Sequence, residues 1–94
     1  MNIRITSWRG DHQAVLENEV AEAIFDKLTG KTAKALPSEM KVKVPDNFGE
    51  LEALWNDGKM GYMAVAKEGE DTVMVKDFDP KAETLVFLAP IIGG

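Results

Sequence analysis

The residues with the most specific chemical potential lie in the stretch Thr84-Leu85-Val86-Phe87-Leu88-Ala89-Pro90-Ile91-Ile92-Gly93-Gly94. An apolar run is followed by a proline, two more apolar residues and two glycines. Proline has no amide hydrogen to give to a sheet ladder, so Pro90 ends the strand that the run predicts. Glycine lacks a side chain, so Gly93 and Gly94 put the terminal carboxylate on a thin, pliable tether. At an average glycine usage of ~7%, a chance Gly-Gly pair there has odds of about one in two hundred, which makes the pair informative. Such a tether fits a narrow enzyme channel and can present its carboxylate to ATP. A free carboxylate is inert toward nucleophiles at neutral pH. Conversion to an acyl-adenylate supplies a leaving group, AMP, that sulfide or a persulfide displaces to give a thiocarboxylate, itself a nucleophile.

Other reactive residue types carry weaker patterns. His12 is the single histidine, and without cysteine or a second histidine it cannot anchor a typical zinc site. It reads as a solvated residue beside a turn. Gly30-Lys31-Thr32 has the ending of a phosphate-binding loop, but the motif needs a glycine where Phe25 stands and a strand where an amphipathic helix is expected. Glu68, Glu70 and Asp71 lack the spacing of a calcium loop and read as a charged hairpin tip. Asp77 and Asp79, before Pro80, read as turn residues. No carboxylate pair stands out as an acid/base couple, and a serine triad would have to recruit Ser7 or Ser38 without supporting context.

The 94 residues predict one domain, 1–94, with a core large enough to fold without staples. A net charge of −5 argues against a nucleic-acid binder, which needs a basic face, and favours docking on a basic partner. The lack of cysteine excludes a disulfide framework, a thiolate metal site and a cysteine nucleophile. No run is long and apolar enough for a membrane span, and the N-terminus reads as a strand with no leader, so the expected location is the cytoplasm.

The elements that must position the carboxylate follow from periodicity. Ile3 and Ile5 alternate with Asn2, Arg4 and Thr6, which predicts a first strand. Arg9-Gly10-Asp11 predicts a turn. Leu16, Val20, Ile24 and Leu28 form a helical stripe over 13–29, with Gly30 as its stop. A competing reading makes 13–16 a short strand and starts the helix near Asn18 as N-cap. Met40, Val42 and Val44 predict a strand ended by Pro45. Asp46 or Asn47 then caps a helix carrying Phe48, Leu51, Leu54 and Trp55 inward and stopping at Asn56-Asp57-Gly58. Short strands at 61–66 and 72–75 suggest a hairpin around Gly69, and Leu85 opens the final strand. The methionines 40, 60, 63 and 74 read as core fillers. A sheet covered by helix on one side leaves its other face free, so some of Trp8, Tyr62, Phe87 and Leu88 are candidates for a docking patch.

Strand, proline, apolar pair and Gly-Gly together resemble the C-terminus of the β-grasp sulfur carriers, the group of the molybdopterin synthase small subunit and the thiamine-biosynthesis carrier (MoaD/ThiS). The sharp match covers Leu85 to Gly94, and a looser strand–helix match covers Met40 to Trp55. Residues 9–39 do not follow the family pattern and read as an insertion. The resemblance implies an α+β, ubiquitin-like fold: a mixed sheet of four or five strands covered by the helix near 46–56, with an added helix near 15–29. The first and last strands would be central, parallel neighbours. It further implies a carrier with no active site of its own. Gly94 would carry the acyl group, Gly93 would let the tail thread, and Pro90, Ile91 and Ile92 would fit it to the partner channel. No cofactor is bound; ATP is used by an activating enzyme of the ubiquitin-activating type, and a synthase subunit accepts the sulfur. Molybdopterin synthesis is the first pathway expected, thiamine-type transfer the second. Neither nucleic acid nor membrane is an expected partner. A similar fold and ending occur in phage tail assembly proteins, whose partners are other tail proteins, and in ubiquitin-like modifiers joined to lysines.

Overall fold

The computed structural model describes residues 1–7, 10–32, 36–48 and 61–89. These build a small α+β domain: a mixed five-stranded sheet with two helices. Strand β1 is Asn2–Ser7, and Ile3 and Ile5 are fully buried as their alternation requires. It pairs antiparallel with β2, Gly10–Val15. The expected turn at Gly10 and Asp11 is therefore corrected: Ser7 pairs with Gly10 and Thr6 with Asp11, so both belong to the strand. Asp11 is held there by its neighbour strand, since Arg4 Nη2 donates to its Oδ2 at 2.6 Å and Thr6 Oγ1 to its Oδ1 at 2.8 Å.

Of the two readings of residues 13–29, the second holds. Gln13 lies in β2, and helix α1 runs Asn18–Leu28. Its stripe is Val20, Ala21, Ile24, Phe25 and Leu28, all buried, while Leu16 reaches the core from the connection. The expected cap moves by one residue. Glu17 occupies the N-cap without a side-chain cap bond, because its carboxylate accepts from Lys43 Nζ at 2.9 Å. Asn18 is already helical, and its Nδ2 donates to the Pro80 carbonyl at 3.2 Å. Gly30 stops the helix as expected. It has φ +82°, its N–H donates to the Lys27 carbonyl at 3.2 Å, and Lys31 N–H donates to the Asp26 carbonyl at 2.8 Å. This is the paired closure that a left-handed glycine permits.

The predicted strand at 40–44 is not a strand. Ser38–Lys41 is a one-turn helix, α2, and the chain then turns. Pro37 starts it, its carbonyl accepting from Met40 N–H at 2.9 Å and Lys41 N–H at 3.1 Å. Met40 and Val44 pack against the core while Val42 between them is 85% exposed, a spacing of four rather than two. Asp46–Phe48 forms one turn of 3-10 helix, η1, and Phe48 is fully buried. The rest of the helix expected to 56, with Leu51, Leu54 and Trp55, lies outside the described residues.

Strands β3, Met63–Glu68, and β4, Asp71–Met74, form the expected hairpin, with Gly69 at φ +62° in its two-residue turn. β5, Thr84–Leu88, lies between β1 and β3. The sheet order is β2-β1-β5-β3-β4, and β1 and β5 are parallel, with Ile3 beside Leu85 and Ile5 beside Phe87. The first and last strands are thus adjacent inner strands, as expected. On one face of the sheet, Ile3, Ile5, Ala64, Ala66, Leu85 and Phe87 join α1's stripe in a single core. Phe25 meets Phe87 and Phe78 edge to face, with centroids 5.9 and 6.0 Å apart. Each such buried Ile, Leu or Phe contributes about 1.5–3 kcal/mol relative to exposure. The stretch expected as an insertion therefore supplies both a full-length strand partner for β1 and the helix that faces the core.

Candidate functional site

The site expected from the sequence is Pro90, Ile91, Ile92, Gly93 and Gly94, and these positions lie outside the described residues. What the fold defines is their root. Strand β5 alternates: Leu85 and Phe87 point into the core, Val86 is half-buried, and Leu88 is 39% exposed on the other face. Beyond the strand, Ala89 N–H donates to the Thr6 carbonyl at 3.0 Å. The segment that precedes Pro90 is thereby fastened to an inner strand, and Leu88 before it lies on the sheet face opposite the core.

That face divides in two. Met63 stands across from Leu88, and Val65 stands between Val86 and Met74. Val65 is only 7% exposed yet stays apart from the core cluster, so it centres a second, smaller apolar group. Around it, Met63 and Met74 are exposed by 47% and 63%. The β1–β2 half is polar: Arg4 and Thr6 both bond Asp11. The Arg4 guanidinium beside Asp11, and secondly the Thr6 hydroxyl, hold its carboxyl below the usual carboxylate range. Lys67 lies on the same face, across from Thr72 and Thr84.

Some of Trp8, Tyr62, Phe87 and Leu88 are expected to remain exposed, and one of the three described does. Tyr62 and Phe87 are buried, Trp8 lies outside the described residues, and Leu88 alone is exposed. Met63 and Met74, expected as core fillers, are exposed instead, as are Val15, Val42 and Val73. Met74 shares that face through its pairing with Val65, and the sequence signal for Met63 is its two-residue spacing from Val65. It was hidden because Tyr62-Met63-Ala64-Val65-Ala66 is apolar on both faces.

The other reactive types do not assemble. His12 is not solvated at a turn, as its neighbours suggested. It sits inside β2 across from Ile5, with its ring edge-on to Phe48 at 6.3 Å. Its Nε2 is buried and meets no hydrogen-bond partner among the described residues. Lys31 follows a helix end rather than a phosphate loop. Its Nζ lies 2.5 Å from Asp77 and 5.3 Å from the Phe25 ring centre. Lys31 in turn keeps the Asp77 carboxyl below its ordinary range. Asp79 Oδ1 accepts from Lys81 N–H at 2.9 Å, a local turn bond. Among the described residues, no three His, Asp or Glu side chains gather closely enough to hold a metal ion. An open cleft of about 440 Å³ lies between Met1, Val15, Asn18 and Lys81. Its best-placed donors are already used, the Met1 ammonium on the Leu16 carbonyl at 2.9 Å and Asn18 on Pro80.

No helix among the described residues is long and apolar enough to cross a membrane. Comparison with known protein families, with curated proteins and with solved structures finds no match to this chain.

Proposed function

We propose that the chain is a β-grasp sulfur carrier whose reactive group is the Gly94 carboxylate. The observation that supports this most is the sheet order β2-β1-β5-β3-β4 with β1 and β5 parallel and adjacent. The resemblance of Leu85 to Gly94 implies that pairing. In this reading α1, which follows the first hairpin and faces the core, takes the place of the covering helix.

The chemistry resides in the tail and in its partner. A carboxylate oxygen of Gly94 attacks the α-phosphorus of ATP on the activating enzyme, and pyrophosphate leaves. Sulfide attacks the acyl carbon and AMP leaves, which yields the thiocarboxylate directly; a persulfide instead yields an acyl disulfide, whose S–S bond a thiol of the partner attacks, releasing the thiocarboxylate and leaving the partner with a disulfide. The carrier supplies a fixed root at Ala89 and a side-chain-free end. Molybdopterin-type synthesis is the first pathway to test, thiamine-type transfer the second. Intact mass after incubation with ATP, a sulfur donor and the host activating enzyme decides the matter. A species heavier by the exchange of one oxygen for sulfur, localised to the Gly94 peptide, is expected. An unchanged mass without AMP release, beside an enzyme that thiolates its own carrier, overturns the proposal.

A second reading, a ubiquitin-like module of a phage tail assembly, draws on the exposed Met63, Met74 and Leu88 around Val65. An assembly module would bury these residues and tolerate loss of Gly94.

A further inference from the structure

We draw no further inference here: the strongest candidate, the apolar half of the sheet face opposite the core formed by Met63, Val65, Met74, Val86 and Leu88, carries nothing, because no described residue or bound molecule in the structure shows what covers it.

Discussion

Ala89 donates its amide hydrogen to the carbonyl of Thr6 at 3.0 Å, which extends the parallel ladder of β1 and β5 one residue beyond the strand. Ala89→Pro removes the donor and should lower stability by about 0.5–1.5 kcal/mol. Phe87→Ala, two residues earlier in the core, should cost about 3–5 kcal/mol. Urea unfolding of both variants checks the ratio; equal losses would place Ala89 inside the cooperative core.

The sheet face opposite the core offers a contrast between neighbours. Met74 is 63% exposed and Val65 7% exposed, though they pair across β3 and β4. Met74→Glu should change stability by no more than about 0.5 kcal/mol. Val65→Asp buries an unpaired carboxyl and should cost several-fold more, ~3 kcal/mol or above. In an assembly module, Met74→Glu should abolish association while leaving the melting temperature intact; in a sulfur carrier, deletion of Gly94 should abolish thiocarboxylate formation.

Gly30 tests the helix closure. A Cβ there meets nothing within 4 Å, so any penalty comes from its φ of +82° rather than from crowding. Gly30→Ala should cost about 1–2 kcal/mol, and Gly30→Asn clearly less, because asparagine tolerates the left-handed region. Thermal melts of the two variants give the comparison.

Asp11 carries a pH signature. Its folded carboxyl titrates below its ordinary value of 3.8, chiefly through Arg4 and then Thr6. A depressed folded pKa means that the stabilising contribution is present above the unfolded value and disappears as pH falls through the folded one. The window therefore lies on the acid side of 3.8, and the pair is exposed enough for salt to weaken it. Carboxyl-carbon NMR should show the Asp11 midpoint rising in Arg4→Gln. An unmoved midpoint would assign the shift to another neighbour.

His12 leaves a buried Nε2 without a partner among the described residues. An unpaired buried polar atom is a cost that an apolar replacement removes. His12→Leu should hold or raise stability, by up to about 1 kcal/mol, where most substitutions of half-buried residues lower it. A marked loss in the urea midpoint would show that the ring makes a contact that leucine cannot replace.

Much of this architecture was legible from local pattern. Ile3 and Ile5, Gly69 and Gly30 each announce their element, because period or backbone freedom acts within a few residues. The failures share a cause in distant partners. Gly10 and Asp11 look like a turn until Arg4 and Thr6 are set beside them. Met40, Val42 and Val44 alternate like a strand, yet Met40 and Val44 meet the core from a helical turn that Pro37 starts. Asn18 is a good cap by type, but the Pro80 carbonyl, 62 residues away, claims its amide. For the candidate site, sequence pattern located the root strand β5, and the resemblance supplied its parallel neighbour; which apolar residues face outward depended on pairings that Met63 and Met74 make across strands.

The place of β5 in the sheet also bears on how the chain folds. It is the only strand pairing with both β1 and β3, so it is what joins the β1–β2 hairpin to the β3–β4 hairpin. Each hairpin is a local pairing, and isolated hairpins are marginal in water. Joining them requires Thr84–Leu88 to slot between partners about eighty and twenty residues upstream, a non-local pairing of the kind that slows folding.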